Sequence, residues 1–131
     1  MRDNYYRSGD GFLLVYSVDV PESTKDVEER FHGIIRAMNH ESGMPPPPIM
    51  IVGNKCDLEG NSRKVSKEEG QDLTKALHLN PETDWIETSA KADINVQKVF
   101  EDIVLKVKAE RQRVKDDEIA KKPKKKKCII L

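Results

Sequence analysis

Asn54, Lys55 and Asp57 follow directly on a short apolar run, Ile49-Met50-Ile51-Val52, that stops at Gly53. An amide, an ammonium and a carboxylate are thus delivered together from the end of one extended segment. Apolar residues on both alternating sets suit a strand covered on both faces, as in a parallel sheet flanked by helices. Ligands of such sheets sit beyond the carboxyl ends of the strands. An Asp held there presents two coplanar acceptor oxygens, and a purine with adjacent ring N–H and exocyclic amine donors, which is guanine, matches that fork. Adenine cannot supply the same donor pair. A second polar group, Thr88-Ser89-Ala90-Lys91, ends another strand-like run, Trp85-Ile86-Glu87.

The remaining elements must bring these two groups to one place. Gly9-Asp10-Gly11 is a turn or helix-stop signal after a polar opening with two aromatics, Tyr5 and Tyr6. Phe12 to Val18 follows as an uncharged β-rich run that reads as a central parallel strand. Val27, Phe31, Ile34, Ile35 and Met38 form the stripe of an amphipathic helix, with Ser23 and Asp26 as a candidate capping pair. A loop with Pro45 to Pro48 leads into the next strand, read as a rigid polyproline connector in preference to bait for a proline-binding groove. Leu58 to Lys64 reads as a surface loop. Ser66-Lys67-Glu68-Glu69 is a capping box, followed by a helix burying Leu73, Ala76 and Leu77 and closed by His78 and Asn80-Pro81. Asn95 is a candidate cap for a last helix whose Val96, Val99, Phe100, Ile103, Val104 and Val107 keep helical spacing. His32 and His40 have no suitably spaced partners and read as solvated side chains, so no metal site is expected. Alternating strands and helices imply right-handed crossovers and a parallel sheet.

With 131 residues the chain can hold one ordinary domain. Its 23 basic and 23 acidic residues balance, but unevenly. From Arg111 onward there are nine Lys or Arg against three acids, so the body before it is net acidic and only the tail attracts anionic surfaces. Two cysteines far apart give no disulfide framework and fit a reducing compartment. No apolar run nears the roughly 20 residues of a membrane-spanning helix, and the N-terminus has no signal-peptide pattern.

Asn54-Lys55-Cys56-Asp57 resembles the N-K-x-D guanine-recognition motif of small GTP-binding proteins, and Thr88-Ser89-Ala90-Lys91 is similar to the second base-binding motif of that family. The form of these motifs and the Phe12–Val18 strand look most like the Ras branch. Rho-type proteins usually carry Thr where Asn54 stands, and Rab-type proteins usually end in paired cysteines. The resemblance implies an α/β fold, an incomplete doubly wound G domain of the P-loop NTPase type with three surviving parallel strands, over residues 1–110. It implies a GTP/GDP-binding signalling switch with effectors and exchange factors as partners. Residue by residue, Asp57 takes the paired guanine donors, and Asn54 holds the purine's other edge and ties neighbouring loops together. The stem of Lys55 covers the ring. Ala90 offers its N–H to the guanine carbonyl oxygen, Ser89 braces Asp57, and Thr88 and Lys91 shape the loop. A site built for those donors penalises a base without them, giving roughly 10⁴-fold selectivity or more.

No G-x-x-x-x-G-K-[ST] phosphate loop and no strand-end Asp-x-x-Gly occur among the 131 residues. Met1 to Tyr6 resembles the end of the segment after that Asp-x-x-Gly, within the second switch region. The resemblance therefore implies that the phosphate loop, the Mg²⁺ site and the water-positioning residue are missing, that no catalytic residue is present, and that nucleotide binding is weak or absent. The expected neighbour of the Phe12–Val18 strand is missing too, leaving an apolar edge unpaired. The alternative reading is a non-catalytic, membrane-tethered interaction fragment without nucleotide binding.

Residues 111–131 read as a disordered polybasic tail. Cys128-Ile129-Ile130-Leu131 is a prenylation box whose terminal Leu favours a geranylgeranyl group. One lipid anchors marginally, so Lys121, Lys122, Lys124, Lys125, Lys126 and Lys127 matter, each adding about 1 kcal/mol near an anionic leaflet. Prenyltransferase and the cytoplasmic face of the plasma membrane are the expected partners. The same lysines could form a nuclear import or nucleic-acid patch, but no aromatic residue is interleaved for stacking and a lipid box follows directly.

Overall fold

The computed structural model describes residues 9–38, 47–58, 60–117 and 127–130. Its strands are β1 (Gly9–Ser17), β2 (Ile49–Asn54), β3 (Trp85–Glu87) and β4 (Lys127–Ile130). They make one sheet in the order β3-β2-β1-β4, and every pair is parallel. Three helices cross over: α1 (Ser23–Ala37), α2 (Lys67–Ala76) and α3 (Val96–Asp117). The three expected strands are present in their expected order.

Alternation along the strands divides the core in two. Phe12, Leu14 and Tyr16 of β1 and Ile49 and Ile51 of β2 face Val27, Phe31, Ile34 and Ala37 of α1 and Leu73 of α2. Leu13 of β1 and Met50 and Val52 of β2 turn to the other face, against Val99 and Ile103 of α3. Both sets are apolar because both faces are roofed by helices. Gly11 lets α3 come close: a Cβ there would lie 2.7 Å from Val107 Cγ2.

Local signals differ in how they are used. Ser66 Oγ accepts from the Glu69 N–H at 3.1 Å and the Glu69 carboxylate accepts from the Ser66 N–H, so the capping box forms. Ser23 does not cap α1 as expected. Its hydroxyl accepts the Ser17 N–H at 2.9 Å and donates to the Val20 carbonyl, which ties the helix start to the end of β1. Of the α1 stripe, Met38 ends 37% exposed. In α3, Phe100 and Val104 also stand exposed although they keep helical spacing, because the sheet contacts the Val99–Ile103 line of the helix.

The tail differs most from expectation. α3 continues to Asp117 on side-chain pairs such as Gln112–Asp116 and Arg113–Glu110 rather than on apolar burial. Lys127–Ile130 forms β4 beside β1, so the edge expected to be unpaired is covered. β-branched Ile129 and Ile130 suit the extended form that pairing beside an apolar strand requires. The readings made for Met1 to Ser8, Pro45, His40 and Lys121 to Lys126 lie outside the described residues.

Candidate functional site

The carboxyl ends of β1, β2 and β3 converge on one rim. β2 ends at Asn54 and runs straight into Lys55, Cys56 and Asp57; β3 ends at Glu87 and runs into Thr88, Ser89 and Ala90. Two backbone bonds stitch these loops together, Thr88 N–H to the Gly53 carbonyl at 2.8 Å and Cys56 N–H to the Thr88 carbonyl at 3.0 Å. Gly53 is required where strand becomes loop, since a Cβ there would fall 2.6 Å from the Tyr16 hydroxyl.

The Ser89 hydroxyl donates to Asp57 Oδ1 at 2.6 Å and accepts the Ala92 N–H at 3.0 Å. That bond is the first cause of an Asp57 pKa below its ordinary value; the charges of Lys91 and Lys55 add less. Asp57 is therefore ionised, half-buried and fixed by one oxygen, with acceptor capacity left for a ligand. Thr88 Oγ1 lies 3.3 Å from Asn54 Oδ1, a second tie between the two loops. Lys55 takes a left-handed backbone, φ 67°, and its Nζ reaches Asp19 Oδ2 at 3.2 Å, which stretches the stem along the rim. Ala90 and Lys91 are exposed on the same rim.

Three supporting side chains carry no motif. Asp19, at the end of β1, accepts from the Ser17 hydroxyl and pairs with Lys55, and these two contacts in that order hold its pKa low. Arg63 forms an ion pair with the buried Glu87 and donates to the Val65 carbonyl at 3.0 Å, anchoring the loop after Asp57 to the end of β3. Asn95 does not cap α3 with its side chain as expected. Its Nδ2 reaches back to the Glu87 carbonyl at 2.9 Å, while its own carbonyl accepts the Val99 N–H. Position beyond the sheet's carboxyl edge was the available signal for Asp19; for Arg63 none existed, because its partner is 24 residues away. Within the first motif, Cys56 has its thiol pKa raised, chiefly by burial and then by the Glu87 and Asp57 charges, which keeps it protonated and slow to react.

A profile of the Ras family matches residues 1–109. The chain belongs to the Ras family. It is 39% identical over its whole length to the Ras-like protein rasC of Dictyostelium discoideum, of which it covers 65%. It is 40% identical, again along its full length, to the Ras-like protein RAS2 of Hydra vulgaris, covering 63% of that protein. Over 86% of the chain it is 39% identical to rasS of Dictyostelium discoideum, covering 53%. The chain thus spans about half to two thirds of the length of these curated relatives. Parallel sheet, helices on both faces and loops gathered at the carboxyl rim agree with a partial Ras-type G domain.

Proposed function

We propose that this Ras-family chain carries the guanine-recognition part of a GTP/GDP signalling switch. Asp57 accepts the ring N–H and amine of the base, and Ala90 donates its N–H to the base carbonyl. Asn54 and the Lys55 stem border the ring; Lys91 supplies positive charge beside the loop. The observation that carries the reading is the Ser89–Asp57 bond, because it sets the two motifs of the two strand ends edge to edge with the carboxylate ionised. Base contacts lack the charge-assisted phosphate bonds that give such sites most of their affinity, so binding of guanine nucleotide by these 131 residues alone is weak. Mg²⁺, effectors and exchange factors belong to the intact switch.

Replacing Asp57 with Asn tests the assignment. An amide in that place keeps one acceptor and gains a donor, which suits a base with a carbonyl in place of the amine. Preference for guanosine over xanthosine diphosphate, measured by ligand-observed NMR, is expected to vanish or invert in Asp57→Asn. Unchanged preference contradicts the role.

The anchor is the second part of the proposal. A geranylgeranyl group on Cys128, added by a prenyltransferase, and the lysines from Lys121 to Lys127 together bind an anionic membrane, most simply the cytoplasmic face of the plasma membrane. No helix among the described residues is long and apolar enough to cross a membrane. Cys128→Ser is expected to move the protein from the membrane to the soluble fraction of a cell lysate; an unaltered distribution contradicts the anchor.

A further inference from the structure

Ser66 follows Arg63, Lys64 and Val65, and of all the serines and threonines in the chain it alone has basic residues at both the second and the third positions before it. A cationic pair so placed is what a protein kinase with carboxylates along its peptide groove reads. Ser66 stands where loop becomes helix, half-buried and with an extended backbone, φ −75° and ψ 167°; Lys64 and Lys67 near it are exposed. The segment is fastened through the Lys64 and Val65 N–H groups, which both donate to the Val18 carbonyl, and through the buried Val65 side chain. Entry into a kinase groove therefore needs a local opening of this short loop.

The folded surroundings of Ser66 make a second, independent observation. Ser66 lines a cavity of about 430 Å³ together with Arg63, Lys64, Lys67, Glu68 and Glu69. The Arg63 guanidinium is close by: its Nε donates at 3.0 Å to the carbonyl of Val65, the residue adjoining Ser66, while its Nη2 pairs with Glu87. Those two bonds use two of the five N–H donors of a guanidinium, which leaves capacity for a further anion. The Glu69 N–H, on Ser66 Oγ at 3.1 Å, faces the same point from the first turn of α2. Glu68 and Glu69 oppose a negative charge there, and the Glu69 carboxylate, which accepts the Ser66 N–H at 3.3 Å, has to swing out to solvent.

We propose that Ser66 is a phosphoacceptor for a protein kinase that reads basic residues, and that its phosphate is received by Arg63, Lys64 and Lys67. In the transfer step Ser66 Oγ bonds to the γ-phosphorus of ATP as the bond from that phosphorus to the β–γ bridging oxygen breaks; ADP leaves and the hydroxyl proton passes to the base of the kinase. Arg63 keeps Glu87 and shares its remaining donors, because stripping the guanidinium from a buried carboxylate costs more than adding a second partner. The phosphate thus ties the loop after Asp57 to α2 and, through Arg63, to the end of β3. Ser66 is then a point at which a signal reaches the rim that carries the two motifs.

The full chain and a free peptide of residues 60–70 are incubated with ATP and the catalytic subunit of a cyclic-AMP-dependent protein kinase, and the phosphate is mapped by mass spectrometry. Phosphate on Ser66 is expected in both, more slowly in the chain because Val65 must first leave the core, and Ser66→Ala is expected to abolish it although Ser62 is still present. Phosphorus NMR then follows the second ionisation of the phosphate, which lies near about pH 6 without a partner. In the chain its midpoint is expected to be lower than in the peptide by roughly 0.5 or more, since the peptide has the same sequence neighbours but not their folded arrangement. Lys67→Gln, outside the two basic positions before Ser66, is expected to shrink that difference against a peptide with the same change. A chain left unmodified under conditions that modify the peptide, or phosphate on Ser62 instead, overturns the acceptor. A peptide that takes no phosphate overturns the reading of the basic pair. A midpoint in the chain equal to or above that of the peptide overturns the receiving site, and a difference unmoved by Lys67→Gln removes Lys67 from it.

Discussion

Asp57 owes its acidity first to one hydroxyl, that of Ser89, and only then to the charges of Lys91 and Lys55. Removing the hydroxyl in Ser89→Ala is therefore expected to raise the Asp57 titration midpoint toward its ordinary 3.8, followed by the carboxyl carbon resonance in NMR; a midpoint that stays put means the bond does not set the acidity. The sign for stability follows. A carboxyl whose pKa is depressed by folding contributes stability that is fully present above its unfolded value and is lost as pH falls through the folded value. Base recognition through Asp57 should thus be level from neutral pH down to about pH 5 and fail only below the unfolded value of 3.8. Asn54, Lys55 and Asp57 were legible from spacing because a motif packs its chemistry into neighbouring positions. Asp19 and Arg63 were not legible from spacing, since each works through a partner far off in sequence, Lys55 in one case and Glu87 in the other.

At the scale of elements, β2 and β3 aim the site and α2 holds them in place. Tyr16 on β1 accepts from Trp85 Nε1 on β3 at 3.0 Å across the back of β2, and burial raises the Tyr16 pKa so that its hydroxyl stays protonated. Gly70 of α2 lies over this pair, and a Cβ there would sit 2.2 Å from the Tyr16 hydroxyl oxygen and 2.7 Å from Trp85 Nε1. Gly70→Ala gains about 1 kcal/mol of helix propensity but overpacks by about 1–3 kcal/mol, so a net loss of up to about 2 kcal/mol is expected by urea titration of Trp85 fluorescence. A stabilised variant contradicts the packing. Helix and strand types followed from the apolar period, and the Ser66 capping box from its residues. Ser23 misled because a serine before a helix caps it or ties it elsewhere with equal chemistry, and only the nearness of the Ser17 N–H decides between them.

Among the described residues β4 forms the edge strand beside β1, and one helix, α3, roofs the face opposite α1 and α2. Ile103 is fully buried there against β1 and β2, so Ile103→Ala is expected to cost about 2–5 kcal/mol and to unfold much of the population. A loss under about 1 kcal/mol in the same urea titration contradicts its place in the core. Sequence pattern could not foresee β4, because a lysine run ending in two isoleucines carries no signal for which edge it meets.

The central claim is that the ends of β2 and β3 form one guanine-recognising rim. Chemical-shift mapping of the isotope-labelled chain with guanosine diphosphate, and with adenosine diphosphate as control, tests it most directly. The predicted result is saturable, guanine-specific shifts at Asn54, Lys55, Asp57, Ser89, Ala90 and Lys91. Identical responses to the two nucleotides, or shifts confined to residues away from those six, contradict it.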